Sequence, residues 1–311
     1  KHNSQVRSVQ FSSDSKYILT GSFEGKPILW NFNEEKRVKE FEGLDSDRAI
    51  FDSENRRIVA TSSAFGNERL GIWDIDDTSA KIFRGHQDIV RDVIFTKKED
   101  KIISSSRDGS FIIWDTIPNK QIIRHFIFDN DPQKWVHLHP SGLFDASQEA
   151  MNMMYWVKDL EVIEFSQLKD RYWLPGLWKK VMLGEELPNV KNMQEIKLYP
   201  EVSINEIDDY KLSVDLTKRN GGYGNVKILL NSKEIIQDAR GSNFDASKEN
   251  QSIKIDIKDH PYLKHGENTL TVISSSENGI KSRGIDFKFS MNNELQNQPQ
   301  FFAVVVGIGD Y

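Results

Sequence analysis

The spacing of tryptophan along the chain limits its possible folds more than any other feature of the sequence. Four of the seven tryptophans recur at separations of 43, 41 and 42 residues, namely Trp30, Trp73, Trp114 and Trp156. Three of them end similar strings, GKPILW, ERLGIW and SFIIW, and each string follows a strand-like run bounded by turn residues, YILTGS, RIVATSS or KIISSS. A repeat of this length with several short strands per unit predicts the four-stranded blades of a β-propeller.

The third unit contains the longest motif, GHQDIVRDVIF followed by KIISSSRDGSFIIWD. His86 precedes Trp114 by 28 residues, and His2 precedes Trp30 by the same 28 residues. In these residues the chain resembles the WD-repeat (WD40) family, over roughly the first 156 positions. The resemblance implies a buried hydrogen-bonded network of a histidine, a strand hydroxyl, a turn aspartate and the tryptophan, here His86, Ser104, Asp108 and Trp114.

The same histidine, serine and aspartate could also be read as a catalytic triad. We favour the structural network, because a buried indole N–H needs an acceptor and buried polar groups are nearly always hydrogen-bonded. The other units depart from the motif at its histidine and turn positions. The first keeps His2 and Thr20 but has Glu24 at the turn, the second has Asp45 and Asn67, and the fourth has Phe128 and Ala150 and keeps only Trp156.

Residues 1–157 are therefore predicted to form four blades, the C-terminal part of a larger propeller. A propeller that does not close exposes the edges of its first and last blades. We expect further blades either upstream or from another chain. A stable, closed monomer in light scattering would contradict this expectation.

Residues 158–192 lose the two-residue alternation and predict a helical junction. Pro175 suits the first position of a helix, apolar residues follow at helical spacing, and Gly184 suits the C-terminal end. Trp173 and Trp178 could form a binding surface, but burial against neighbouring structure is favoured.

Residues 193–290 return to alternating strands, separated by the turn clusters NGGYGN, HGEN and SENG. Six or more such strands predict a two-sheet sandwich of the immunoglobulin type. Gly221, Gly222 and Gly224 could be read as a phosphate loop, but the strand VKILL follows them instead of a helix, which favours a hairpin loop. The expected fold is thus mainly β, with propeller blades, a short helical linker and an immunoglobulin-like sandwich.

Composition excludes several functions. The absence of cysteine excludes disulfides, thiolate metal sites and a cysteine nucleophile within these residues. The net charge of −6 argues against a nucleic-acid partner, and no apolar run reaches the roughly 18 residues of a membrane span. His137 and His139 lie two apart on a predicted strand and could hold a metal, but no further ligand is nearby. We predict neither a metal nor a cofactor.

A second resemblance concerns the order of segments along essentially the whole chain. Residues 291–311 contain the polar stretch NNELQNQPQ and then FFAVVVGIGDY, whose continuous apolar run is typical of a buried parallel strand. Together with WVHLHPSGLFDASQEAMNMMYW, QLKDRYWLPGLWKKVMLGEELP and GGYGNVKILLNSKEI, this order is similar to bacterial proteins in which a WD-repeat propeller precedes a caspase-like cysteine peptidase. The resemblance implies that a catalytic cysteine and histidine lie downstream of Tyr311.

The sequence thus predicts a non-catalytic, cytoplasmic regulatory region that binds protein partners on the propeller rim and gates or targets a tethered peptidase. The alternative is a pure WD40 scaffold attached to a nucleotide-dependent module, since Gly307 and Gly309 could open a dinucleotide fingerprint. The following residues would distinguish the two. A histidine and then a cysteine after successive strands would favour the peptidase, and a third glycine before a helix would favour the nucleotide module.

Overall fold

Antiparallel sheets dominate the structure, a computed structural model that describes residues 2–23, 25–62, 69–158, 160–191, 193–208 and 210–291. The chain divides into two units. The first consists of Lys1–Trp156, Glu164–Ser166 and Tyr172–Met193, and the second of Val157–Ile163, Gln167–Arg171 and Gln194–Tyr311. Several predictions from the sequence fall outside the described residues, namely those on Glu24, on Asn67, on the polar stretch 292–300 and on the terminal apolar run 301–311.

The first unit begins with two four-stranded sheets in which consecutive strands are neighbours. The strands of the first sheet are β1 (Val6–Phe11), β2 (Tyr17–Ser22), β3 (Gly25–Asn31) and β4 (Lys36–Glu40). Those of the second sheet are β5 (Arg48–Phe51), β6 (Arg57–Thr61), β7 (Arg69–Asp74) and β8 (Lys81–Arg84). Asn55 turns the chain between β5 and β6 with a φ of 56°, a left-handed value that asparagine adopts more readily than most residues.

The third sheet has six strands, and the fourth predicted blade does not form around Trp156 within the described residues. The strands are β9 (Val90–Phe95), β10 (Lys101–Ser106), β11 (Ser110–Asp115), β12 (Lys120–Ile127), β13 (Trp135–Leu138) and β14 (Phe144–Ala146). The prediction differs because β12 is eight residues long and pairs over Arg124–Ile127 with β13. This pairing extends the third sheet instead of starting a new one. Trp156 lies instead on β15 (Tyr155–Lys158), which forms a two-stranded sheet with β16 (Glu161–Glu164) in the described residues.

Each of the three sheets holds its tryptophan in the same register. An isoleucine of the second strand lies opposite the tryptophan of the third, as the pairs Ile18–Trp30, Ile58–Trp73 and Ile102–Trp114. One buried apolar cluster joins the first sheet to the second, and another joins the second to the third. Because full burial of a large aliphatic side chain contributes about 1.5–3 kcal/mol, these two clusters hold the three sheets together.

Three helices lie in the described residues, α1 (Gln148–Met151), α2 (Phe165–Tyr172) and α3 (Leu177–Leu183). The helix predicted from Pro175 begins two residues later, because Gly176 takes a left-handed φ of 73° before the first helical turn. Gly184 ends α3 as a left-handed C-cap whose N–H donates to the last-turn carbonyls. Leu177 of α3 is buried against Ile113 and Ile123, so this helix covers one face of the third sheet. None of the described helices has the length and hydropathy needed to cross a membrane.

The second unit contains two sheets that share one buried cluster. After a single 3₁₀ turn at Met193–Glu195 come β17 (Glu201–Asp208), β18 (Lys211–Thr217), β19 (Val226–Leu230), β20 (Lys233–Ile236), β21 (Asn250–Asp256), β22 (Gly266–Ser274) and β23 (Ile285–Met291). Strands β17, β18 and β21 form one sheet, and the order β20-β19-β22-β23 forms the other. Both sheets are antiparallel and supply apolar side chains to the same core. The immunoglobulin type of this arrangement stays a prediction.

Candidate functional site

The third sheet brings four predicted residues into one hydrogen-bonded chain. Ser104 on β10 accepts from the Trp114 indole Nε1–H at 2.8 Å, and its hydroxyl lies 2.8 Å from His86 Nε2. The other imidazole nitrogen, Nδ1, lies 2.9 Å from Asp108 Oδ2. Since the carboxylate can only accept, Nδ1 carries the proton, and Nε2 accepts from the serine hydroxyl. The four side chains therefore form one directed chain from indole to carboxylate.

Asp108 ends this chain and is held by several further donors. Its oxygens accept from the Ser110 hydroxyl at 2.6 Å and from the backbone N–H of Gln87 at 3.0 Å, and Arg124 Nη1 lies 4.0 Å away. Burial alone would raise the pKa of Asp108, but the hydrogen bonds from His86, Ser110 and Gln87 outweigh it and hold this pKa well below its ordinary value. The carboxylate thus stays charged in the folded protein, and it orients His86.

The order hydroxyl, imidazole, carboxylate is the same as in a catalytic triad, but the placement of the hydroxyl differs. Ser104 is fully buried inside the sheet, and His86 is buried as well. The serine oxygen already accepts the indole N–H of Trp114. A nucleophile must reach its substrate, and a hydroxyl buried inside the sheet does not. The arrangement therefore anchors a tryptophan and is not built to attack a substrate.

The first sheet repeats part of this network near its surface. His2 Nε2 lies 2.6 Å from the Thr20 hydroxyl, and the Trp30 indole Nε1–H donates to the same oxygen at 2.8 Å. His2 and Trp30 are both half-buried. Threonine thus takes the place that serine holds in the third sheet.

The second sheet anchors its tryptophan differently, and sequence reasoning missed how. Ala60 stands at the register position of Thr20 and Ser104, so the sheet offers no hydroxyl there. The Trp73 indole N–H donates instead to the backbone carbonyl of Glu42 at 2.9 Å. The ring lies over Gly71, where an added Cβ would come within 2.7 Å of the indole. The alanine in RIVATSS shows that the second unit lacks the strand hydroxyl. The sequence does not show which backbone carbonyl accepts the indole N–H in its place.

Trp156 and Asp45 do not take part in such networks. Trp156 is half-buried on β15, and the side chains of Phe128 and Ala150 at its motif positions carry no atom that could accept an indole N–H. Asp45 is half-buried, while Trp73 is bonded to Glu42. Among the described residues, the structure thus joins the predicted side chains of the first and third units, but not Asp45 with Trp73 or Phe128 and Ala150 with Trp156.

His137 and His139 do not converge on a common ligand position. His137 stacks among Trp135, His125 and Trp178 with ring centroids 4.5, 4.7 and 5.0 Å away, whereas His139 Nδ1 lies 2.8 Å from the Ser141 hydroxyl. Burial, together with the nearby His125, lowers the pKa of His137 from 6.5 to about 4. In the described part of the chain, no three histidine, aspartate or glutamate side chains are grouped as a metal would require.

The glycine loop before β19 is occupied by the protein's own backbone. Gly221 N–H donates to Leu198 O at 3.0 Å, and Gly224 N–H donates to Ser275 O at 2.7 Å. A Cβ at either glycine would come within 2.2 Å of a carbonyl oxygen. The glycines therefore permit a close approach of three backbone segments, and these N–H groups do not form a phosphate cradle.

A cavity of about 500 Å³ in the second unit was not foreseen from the sequence. Half-exposed Val162 and Ile285 supply its apolar lining. Its polar lining includes Arg219, whose Nη1 donates to Glu161 at 3.0 Å, and Tyr199, whose hydroxyl donates to the same carboxylate at 2.9 Å. Arg219 and Tyr199 both donate to Glu161 of the same unit, so these three polar groups at the cavity are already paired with one another.

Comparison with known proteins identifies the repeats. The family "WD domain, G-beta repeat" matches residues 1–31 and 77–115. The chain is 24% identical over 122 residues to a protein of chromatin assembly factor 1 from Gallus gallus, covering 39% of this chain and 18% of that protein. It is 32% identical to WD40 repeat-containing protein smu1 of Dictyostelium discoideum, covering 37% of this chain and 31% of that protein.

Solved structures match a similar share of the chain. The structure of U3-55K matches with a TM-score of 0.38 and 14% identity, covering 45% of this chain and 47% of that one. The chain spans less than a third of the length of the curated relatives named above. The family match assigns WD40 repeats to residues 1–31 and 77–115, which lie in the blade-like sheets of the first unit.

Proposed function

Because residues 1–31 and 77–115 match WD40 repeats, we propose that the chain is a non-catalytic protein-interaction and regulatory region. One observation carries this proposal. The hydroxyl of the His86–Ser104–Asp108 set is buried and already accepts the Trp114 indole N–H, so the set serves the sheet. In this proposal the function is carried by the exposed surface of these sheets, which binds another protein.

Rigid sheets with irregular loops at their ends suit the recognition of another protein. Arg48 on β5 pairs with Asp92 on β9, a half-exposed ion pair between the second and third sheets. We place the partner on the rim of the propeller. The names of the relatives refer to chromatin assembly and polyadenylation. For this chain, the net charge of −6 supports a protein partner instead of a nucleic acid.

The target of regulation is a tethered caspase-like cysteine peptidase. The support for it is the resemblance in the order of segments, from WVHLHPSG to AVVVGIGDY. In this proposal the three sheets within residues 1–157 are propeller blades, residues 158–192 are a junction, 193–290 an immunoglobulin-like sandwich and 291–311 the approach to the peptidase. A partner bound to the propeller frees the peptidase or presents its substrate, in the cytoplasm.

The first experiment compares the 311 residues with the full-length polypeptide, using fluorogenic peptide substrates. Iodoacetamide alkylates cysteine, and the 311 residues contain none. We expect peptidase activity from the full-length polypeptide that iodoacetamide abolishes, and none from the 311 residues above a mock preparation. Activity from the 311 residues would contradict the non-catalytic assignment. Inactivity of the full-length polypeptide, together with nucleotide binding, would favour the scaffold attached to a nucleotide-dependent module.

A second experiment separates gating from simple tethering. A site for a specific protease is inserted between Asn292 and Gln300 of the full-length polypeptide, and peptidase activity is measured before and after cleavage. Gating predicts a several-fold change in kcat/KM when the regulatory region is released. An unchanged kcat/KM would limit the region to targeting.

A further inference from the structure

The cavity of about 500 Å³ in the second unit lies where the shared core of its two sheets ends. Along β23, Phe287 and Phe289 pack against this core, and Ile285 points to the same face because side chains alternate along a strand. Ile285 is nevertheless 41% exposed, and it lines the cavity. On β17, Val202 packs at the margin of the same core and also lines the cavity. The cavity therefore continues the apolar core of the two sheets.

The hairpin of β15 and β16 adds exposed apolar side chains from the same unit. Val162 on β16 lines the cavity and is 39% exposed. Leu160, in the turn before β16, is fully exposed, and Val157 on β15 is 55% exposed. Several exposed aliphatic residues beside a concave site are typical of a surface that binds another molecule.

The charged groups of the cavity lining balance one another. They are two carboxylates and two guanidinium groups, those of Glu161, Glu201, Arg219 and Arg283. Arg219 Nη1 donates to Glu161 at 3.0 Å, and Arg283 Nη2 donates to the backbone carbonyl of Val162 at 3.0 Å. A charged ligand would have to replace these bonds, which costs free energy because a desolvated charge needs its own partner. The cavity therefore favours an uncharged group.

The hydroxyl groups of the lining are engaged as well. Ser274 donates to the carbonyl of Pro200 at 3.0 Å, and the hydroxyl of Tyr199 donates to Glu161. The Ser282 oxygen accepts the backbone N–H of Ser274 at 3.0 Å and a second backbone N–H at 3.3 Å. Selectivity for a ligand is thus left to the aliphatic part of the lining.

A strand edge begins at the cavity. Among the described strands, β23 stands at the end of one sheet and β17 at the end of the other. An edge strand presents backbone N–H and C=O groups that can pair with another chain. The start of β17 is poorly suited to this, because Pro200 before it has no N–H and its carbonyl already accepts from Ser274. The first residues of β23, from Ile285 onward, are therefore the better edge.

We propose that the second unit binds an extended, uncharged peptide segment of another protein, which pairs with the edge of β23 and places one aliphatic or aromatic side chain in the cavity. The residue opposite Ile285 on the added strand points to the same face as Ile285, because paired residues of neighbouring strands share a face. Its side chain completes the core beside Val202 and Val162. Backbone pairing supplies affinity in such recognition, and the side-chain pocket supplies specificity.

This site lies in the second unit alone, whereas the partner proposed above binds the first unit. Failure of the peptide site would therefore leave the function proposed for the propeller unaffected. The peptide site is equally independent of the tethered peptidase.

The probe for this site is a phage-displayed library of random peptides. Phage that bind an Ile285→Asp variant are removed first, and the remainder are selected on the unaltered 311-residue chain. Ile285→Asp places a charge in the cavity at a half-exposed position, and Ile117→Asp, on an 83% exposed residue of the first unit, is the matched control. We expect the selected peptides to share one large aliphatic or aromatic residue in an otherwise uncharged stretch.

The selected peptides are then synthesised with a fluorescent label, and their Kd is measured by anisotropy. Replacing the shared residue with alanine should weaken binding at least about tenfold, because the burial of a large apolar side chain is lost. Ile117→Asp should leave the Kd unchanged. The bound peptide should also slow hydrogen exchange in β23 but not in β1, as read by mass spectrometry.

Four results would overturn the proposal. Equal affinity for Ile285→Asp, or protection of the first unit instead of β23, would place the peptide elsewhere. Selected peptides that depend on a charged residue would show that the cavity recognises an ionic ligand. If subtraction leaves no binding peptide, the cavity does not take a peptide side chain. Circular dichroism verifies that Ile285→Asp is folded, and Val162→Asp on the hairpin replaces it if it is not.

Discussion

The second and third sheets hold the same residue type in the same register by different means. Trp73 and Trp114 are both buried, and each lies opposite an isoleucine of its second strand. The indole of Trp114 donates to Ser104 and through it joins His86 and Asp108, whereas the indole of Trp73 donates to a backbone carbonyl. The sheet register therefore places the tryptophan, and the indole N–H needs only an acceptor. The network is one way to supply it.

The largest effect is expected when either indole is removed. Trp73→Ala and Trp114→Ala should each lower the free energy of unfolding by about 3–5 kcal/mol, because both rings fill the core between sheets. Trp30→Ala should cost less, since Trp30 is half-buried. Chemical denaturation followed by circular dichroism measures these differences, with Ile117→Ala as an exposed control. A cost for Trp73→Ala far below that for Trp114→Ala would break the comparison, because the register alone would then not be decisive.

A smaller effect is expected from exchanging the acceptors of the two sheets. Ser104→Ala leaves the indole N–H of Trp114 and the imidazole of His86 without their partner, at about 1–3 kcal/mol. Ala60→Ser buries a hydroxyl beside an indole that already donates to Glu42, and it should also destabilise by about 1–3 kcal/mol. Ser104→Thr should be nearly neutral, as the first sheet uses Thr20.

Hydrogen exchange read by mass spectrometry assigns these changes to a sheet. Ser104→Ala should speed exchange in β10 and β11, and Ala60→Ser should speed it in β6 and β7. If Ala60→Ser instead raised the free energy of unfolding, the added hydroxyl would be a better acceptor for the Trp73 indole than the carbonyl of Glu42.

A pH effect distinguishes the third sheet, which carries His137 on its added strand β13. The pKa of His137 is lowered to about 4 from 6.5, so between these values the unfolded chain binds a proton that the folded chain does not. Stability should therefore fall as the pH drops through this window. His137→Phe keeps a ring beside Trp178 and should reduce the pH dependence of the unfolding midpoint in this window, to which the lowered pKa values of His125 and His139 also contribute. The exposed His265 gives the matched control, and an unchanged slope in His137→Phe would refute the assignment.

A further pH effect is expected from Asp108, at still lower pH. Its pKa lies below the ordinary value of 3.8, so the stability that it contributes is present above about pH 3.8 and is lost as the pH falls further. Asp108→Asn should remove this part of the acid dependence. Unfolding midpoints measured between pH 5 and pH 2 test this expectation, and Asp45→Asn, in the connection that precedes the second sheet, serves as the control. Equal slopes for Asp108→Asn and the unaltered chain would count against a charged Asp108 in the fold.

Local patterns in the sequence were sufficient to predict most of the strands and the positions of Trp30, Trp73 and Trp114 in their sheets, but not the surroundings of Trp156. Alternation of apolar and polar residues is a local property, and a constant stride of tryptophans repeats the same local choice. The residues His86, Ser104, Asp108 and Trp114 could be grouped from the sequence because their chemistry is complementary and their spacing recurs. Gly184 could likewise be recognised as a helix end, since its freedom at positive φ is intrinsic to the residue.

Only the tertiary structure decided the features that depend on distant partners. The carbonyl of Glu42 accepts the Trp73 indole, yet a carbonyl is common to all residues and has no sequence signature. Strand β13 pairs with the long edge of β12, which places His137 beside His125 on the neighbouring strand. His137 also contacts Trp178 of α3, the helix that covers this sheet. Such contacts are set by which edges and faces remain uncovered after the local elements form, and local patterns do not contain that information.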